Sequence, residues 1–91
     1  MGTYWVYILK CSDGSLYTGC TNDLDRRLEA HLTGKASKFT RSRLPVKLGH
    51  VEKATDRGSA LRREARIKKL KRSEKLLLCM EYEARKKHSV G

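Results

Sequence analysis

The stretch Tyr4-Trp5-Val6-Tyr7-Ile8-Leu9-Lys10-Cys11-Ser12-Asp13-Gly14-Ser15-Leu16-Tyr17-Thr18-Gly19-Cys20 decides the fold. Aromatic and β-branched residues over Tyr4 to Lys10 predict a strand, and Ser15 to Cys20 predicts a second. Ser12-Asp13-Gly14 between them is turn chemistry. The hairpin has two readings. A two-residue type I′ turn at Asp13-Gly14 pairs Tyr7 with Cys20 and sends Tyr17 to the opposite face. A three-residue Ser12-Asp13-Gly14 loop, with Gly14 left-handed, sets Tyr7 opposite Gly19 and Leu9 opposite Tyr17. The two phenols then share a face as diagonal neighbours, roughly 7–8 Å apart at Cα. The sequence leaves both readings open.

Beyond Cys20 the period changes from two to about four. Leu24, Leu28 and Leu32 mark a helix, with Thr21 or Asn22 as its cap, Asp23 and Asp25 in its first turn, and Gly34 as its stop. Lys35 to Pro45 reads as a basic loop carrying Lys35, Lys38, Arg41 and Arg43. Val46, Leu48 and His50 alternate with Lys47 and Gly49, which predicts a third strand to about Lys53. Thr55 or Asp56 caps a second helix to about Lys71, and Ser73 caps a third to about Lys87, where a basic tail Arg85-Lys86-Lys87 closes the pattern. The expectation is a single α/β (α+β) domain over residues 1–91, with a three-stranded antiparallel sheet flanked by three helices in the order β-β-α-β-α-α.

Composition narrows the function. The 91-residue chain carries a formal net charge of +11. Residues 1–34 hold three Lys and Arg against four Asp and Glu, whereas residues 35–91 hold 18 against 6. So basic a lobe predicts a polyanionic partner, nucleic acid before membrane, because no basic helix carries Trp or Phe on its other face. The apolar runs Trp5 to Leu9 and Leu76 to Met80 fall far short of the roughly 20 residues of a membrane helix. No signal-peptide pattern follows Met1. Cys11, Cys20 and Cys79 lack CxxC spacing, so reduced thiols in a cytoplasmic protein are expected, and neither a disulfide framework nor a zinc site.

Three further residues stand out. Arg27 and His31 are helix neighbours at i, i+4 that flank the leucine stripe, one a planar donor fork for an anion, the other a donor or base. Glu64 has Ala60, Leu61 and Ile67 at helical spacing, so its carboxylate is expected in a buried stripe. There it needs a cation: Arg27, a lysine or a metal. The basic residues around it, among them Arg63, Lys68 and Lys71, suit a solvated face or phosphate contact. No Walker A, GxGxxG or zinc-finger pattern is present, and a Cys20–His31 nucleophile pair lacks a third orienting group.

Together these residues resemble the GIY-YIG nuclease superfamily. Trp5-Val6-Tyr7 is similar to its first motif and Tyr17-Thr18-Gly19 to its second. Arg27, His31 and Glu64 follow in order, and Lys38-Phe39-Thr40-Arg41 with Ile67-Lys68-Lys69-Leu70 resembles the small standalone bacterial (YhbQ-like) branch. The resemblance implies metal-dependent phosphodiester hydrolysis of nucleic acid, DNA ahead of RNA, in repair or recombination. It implies Tyr7 as general base, directly or through a relay, with His31 as base or partner. Tyr17 would contact the phosphate, Arg27 would stabilise charge, and Glu64 would hold one Mg²⁺ or Mn²⁺. A phenol of pKa about 10 would then need Arg27 and the metal to lower it. Cys20 stands where some relatives carry lysine, and Trp5-Val6 replaces Gly-Ile. The chain has no room for a separate DNA-binding domain, so a partner protein, a homodimer or the substrate's own structure would supply target recognition. The competing reading is an accessory nucleic-acid-binding module with little turnover.

Overall fold

The computed structural model describes residues 2–88. Along the chain run β1 (Tyr4–Cys11), β2 (Leu16–Thr21), α1 (Leu24–Leu32), α2 (Lys38–Arg41), β3 (Val46–Ala54), α3 (Arg57–Lys69) and α4 (Arg72–His88). β1 is the centre of an antiparallel sheet ordered β2-β1-β3. This is the expected α+β architecture with one addition, α2, which makes the order β-β-α-α-β-α-α. The Ser37 side chain accepts hydrogen bonds from the Phe39 and Thr40 N–H groups and holds this single turn in place. A four-residue helix leaves no periodicity to read and depends on such caps and on packing.

The hairpin adopts the three-residue loop. Gly14 N–H donates to the Cys11 carbonyl at 3.0 Å, Cys11 N–H donates to the Ser15 carbonyl at 2.9 Å, and Gly14 has φ 87°. Tyr7 therefore lies opposite Gly19, and Leu9 opposite Tyr17. The starts of α1 and α4 differ by a residue or more from expectation, and that of α3 is as expected. Asp23, not Thr21 or Asn22, caps α1 by accepting from Arg26 N–H, while the Thr21 hydroxyl accepts from Asp23 N–H. Asp56 caps α3, which stops at Lys69. At the start of α4 the Glu74 carboxylate accepts from Lys71 N–H, so the helix begins at Arg72 rather than behind Ser73. Arg85 and Lys86 belong to α4 and form no separate tail; the Lys87 side chain lies outside the described residues.

The pleat of β1 divides two cores. Val6 and Ile8 pack with Ala60, Ile67 and Cys79 under α3 and α4. Tyr7, Leu9 and Cys11 pack on the α1 side with Val46, Leu24, Leu28 and Leu48. Two sequence expectations fail here. A register shift between Ile8 and Leu9 moves His50 off the face of Val46 and Leu48 and beneath α4, where it meets the Tyr82 ring edge-on. Gly49 at that irregularity leaves room for Cys79, whose sulfur would lie 3.0 Å from any added Cβ. The leucine stripe also ends early. Leu32 is exposed, and the fully buried residue of α1 is His31. Steps of four residues drift about 40° each around an α-helix, whereas 24, 28 and 31 stay on one line. All three cysteines are free thiols. Among the described residues no helix is long and apolar enough to cross a membrane.

Candidate active site

The site lies along edge strand β2. Tyr17 and Gly19 project towards α1, on the same face as Tyr7 of β1. The Tyr7 hydroxyl lies 3.0 Å from His31 Nε2, and His31 Nδ1 lies 2.9 Å from Thr40 Oγ1. Tyr17 packs its ring against His31, with centroids 5.1 Å apart, and stacks on Phe39 at 5.9 Å. The Arg27 side chain is exposed at the mouth, and its positive charge acts on the Tyr7 phenol. Beside it a cavity of about 540 Å³ is lined by Thr21, Asn22, Asp23, Arg26, Arg27 and Ala30.

Burial dominates the electrostatics. Tyr7 is 0% exposed, and its phenol is pushed up to about 12, first by burial and then by the neighbouring Tyr17, against the pull of Arg27. The expected lowering of this phenol by Arg27 is therefore outweighed. Burial, reinforced by the Arg27 charge, holds His31 below its ordinary range, so the imidazole is neutral near pH 7. His31 is no half-buried bystander: at 1% exposure it lies between Tyr7 and Thr40. Thr40 was not singled out in the sequence. The one signal for it was Ser37, a residue type that caps helices.

Glu64 comes from the other side of β2, on α3. Its carboxylate is 17% exposed, at the margin of the apolar stripe, because Leu61 faces solvent. Its cation is neither Arg27 nor buried: Lys68 Nζ, one turn on, lies 2.7 Å away. The Cys20 thiol faces the same carboxylate closely enough for each to shift the other's titration. Burial works against ionisation of Glu64, but the Lys68 ammonium and the Cys20 thiol outweigh it and hold the carboxyl below its ordinary range. The Cys20 thiol is pushed up to about 11 by burial and by Glu64, so it keeps its proton. The charge of Tyr17 and that of Cys20 also act on Lys68. Tyr7, Tyr17 and His31 thus form one cluster under α1, with the Arg27 charge acting on it, and Glu64 with Lys68 lies across β2 on α3.

Among the described residues no three His, Cys, Asp or Glu side chains converge as a metal cage. The single carboxylate of Glu64 fits a hard divalent ion of the kind that keeps most of its waters and takes one or two carboxylates plus substrate oxygens. The paired ammonium of Lys68 marks the same spot as suited to positive charge.

The basic residues divide into two groups. Lys35, Lys38, Arg41 and Lys71 are exposed. Arg43 is tied to Asp13 at 3.0 Å, to the Phe39 carbonyl and over the Phe39 ring. Arg63 forms a two-pronged pair with Glu52 at 2.7 and 2.8 Å, and Glu52 also meets His50. Arg63 and Lys68 are therefore committed to carboxylates of this chain.

Comparison with known proteins identifies the family. Residues 3–77 match the model of the GIY-YIG catalytic domain. A UPF0213 protein of Syntrophus aciditrophicus is 51% identical over 79 residues, 86% of this chain and 91% of that protein. A UPF0213 protein of Halobacterium salinarum is 49% identical over 70 residues, 77% of this chain and 91% of that protein. The solution NMR structure of an E. faecalis protein superimposes with a TM-score of 0.61 at 36% identity, covering 92% of this chain and 90% of the other. That of the Bacillus halodurans UPF0213 protein gives 0.54 at 43% identity, covering 84% and 81%.

Proposed function

The chain belongs to the GIY-YIG catalytic domain family, a nuclease family whose substrate is nucleic acid, and from this premise we propose that it hydrolyses phosphodiester bonds in DNA with branched or damaged structure. The observation that carries the reading is the Tyr7–His31 hydrogen bond beneath Arg27. A fully buried phenol cannot take a proton from water and keep it; it needs an acceptor behind it. His31, neutral and with a ring nitrogen 3.0 Å away, is that acceptor.

In the proposed reaction a water oxygen attacks phosphorus. Its proton passes to the Tyr7 oxygen as the Tyr7 proton passes to His31 Nε2. Arg27, now on the phosphate, uncovers the phenol and neutralises the developing charge. The Tyr17 hydroxyl orients a phosphate oxygen. Glu64 would hold one Mg²⁺ or Mn²⁺, which supplies Lewis-acid polarisation of the phosphate. The exposed Lys35, Lys38, Arg41 and Lys71 track the backbone on either side.

Incubating the protein with nicked, flapped and branched DNA in Mn²⁺ tests this reading. Cleavage above a Glu64→Ala control is expected; its absence would overturn the enzyme assignment. A second reading, a nucleic-acid-binding module, is favoured by one observation: in this conformation the Tyr7 hydroxyl faces inward and Lys68 occupies Glu64. Salt-dependent binding indifferent to Tyr7→Phe, Arg27→Ala and metal would establish that reading instead. RNA in place of DNA is the outcome to exclude in both assays.

A further inference from the structure

Three side chains with no solvent access share a line of hydrogen bonds: Tyr7, His31 and Thr40, at 0%, 1% and 0% exposure. We propose that Thr40 is a positioning residue that holds His31 as its Nδ1–H tautomer and so turns the Tyr7 phenolic proton inward, onto Nε2.

The argument is a proton inventory. A neutral imidazole carries one N–H, and the two hydroxyls carry one proton each. If the ring proton is on Nδ1, it donates to Thr40 Oγ1 at 2.9 Å, and the phenol donates to Nε2 at 3.0 Å. The Thr40 hydroxyl then donates to the Ser37 carbonyl at 3.3 Å. That carbonyl also accepts from Arg41 N–H at 3.0 Å, which its two lone pairs allow. Every proton has an acceptor. If the ring proton is instead on Nε2, Thr40 donates to Nδ1, and the Tyr7 oxygen receives Nε2–H, its one hydrogen-bond partner among the described residues. The phenolic proton is then left in a closed space without an acceptor. Such an orphan biases the tautomers by about tenfold or more. Burial and Arg27 keep the ring neutral, so it is the tautomer that matters near pH 7.

The device starts at the one-turn helix α2. The Ser37 side chain fixes the turn through the Phe39 and Thr40 N–H groups, and the turn aims Thr40 at His31. On the proposed nuclease reading, only the Nδ1–H tautomer leaves Nε2 able to take the Tyr7 proton; an Nε2–H ring would close the relay.

Long-range proton–nitrogen NMR on the full chain with ¹⁵N-labelled histidine tests the tautomer directly at neutral pH. The wild type and Thr40→Ser are expected to show a protonated Nδ1 and an unprotonated Nε2 at His31. Thr40→Val is expected to lose about tenfold of that preference. In cleavage assays it should lower kcat with little change in KM. A wild-type His31 protonated at Nε2, or a Thr40→Val ring with unchanged tautomer, overturns the proposal. Should Thr40→Val not fold, the wild-type spectrum still decides. If the tautomer is as expected but no DNA is cut, the nuclease reading fails and the positioning role stands.

Discussion

Gly19 lies opposite Tyr7 across the β1–β2 ladder, and a Cβ built on it would sit 2.6 Å from the Tyr7 hydroxyl oxygen and 2.8 Å from Cζ. The ring cannot swing aside, because it is fully buried and tethered at its far end to His31. Gly19→Ala is therefore expected to tilt the ring, break that hydrogen bond and destabilise the fold by about 1–3 kcal/mol. Urea unfolding would show a lower midpoint with an unchanged slope. An unchanged midpoint would mean that the ring has room to move.

His31 makes stability depend on pH. Its folded value lies below the ordinary 6.5, so the unfolded chain takes up a proton first as the pH falls. The contribution is complete above about 6.5 and is lost as the pH drops from there through the depressed folded value. The carboxyl groups held low, Glu52, Glu64, Asp13 and Asp56, act only below their ordinary 4.5 or 3.8. Unfolding midpoints at pH 7.5 and 5.5 should thus differ more for wild type than for His31→Gln. Equal differences would contradict the buried neutral imidazole.

On the proposed reading, Lys68 and a divalent ion would compete for one carboxylate. Removing the ammonium 2.7 Å from Glu64 should raise Mn²⁺ affinity in Lys68→Met by about threefold to tenfold, whereas Lys68→Arg should stay near wild type. Titration followed by Mn²⁺ paramagnetic resonance reads this without any turnover. Glu64→Gln should abolish the site, and if it binds Mn²⁺ like wild type the ion sits elsewhere.

Two groups of basic residues should behave differently towards DNA. Arg63, pinned in its fork with Glu52, contributes to the fold: Arg63→Ala should cost about 1 kcal/mol and leave the salt dependence of binding unchanged. Exposed Lys38 and Arg41 should do the reverse. Their double alanine variant should lower the slope of log affinity against log salt by about two while stability moves by less than about 0.5 kcal/mol. Fluorescence anisotropy across a salt series, paired with thermal melts, separates the two.

Much of this architecture was legible in residue order. Strand propensity marked both hairpin strands, and Ser12-Asp13-Gly14 reduced the register to two choices, of which the backbone takes the one that puts both phenols on one face. Tyr7, Tyr17, Arg27 and Glu64 stood out by type and spacing. What stayed hidden depends on contacts across the fold. Thr40 matters because a single turn, invisible to periodicity, brings it under His31. Lys68 looked like one more cation on a basic face, and only the edge of β2 gives it a place between Glu64 and Tyr17. His50 seemed to continue the Val46–Leu48 face until the irregularity at Gly49 turned it over.

The Tyr7 ring belongs to the core as much as to the site: it packs with Leu9, Cys11 and Val46 on the central strand. Phenylalanine keeps that ring and loses only the oxygen, leaving His31 Nε2 without its partner at a cost of about 1–3 kcal/mol. Tyrosine and phenylalanine codons differ by a single base. A descendant gene can therefore silence the phenol in one mutational step and still encode a folded basic domain. The reverse step restores it just as directly.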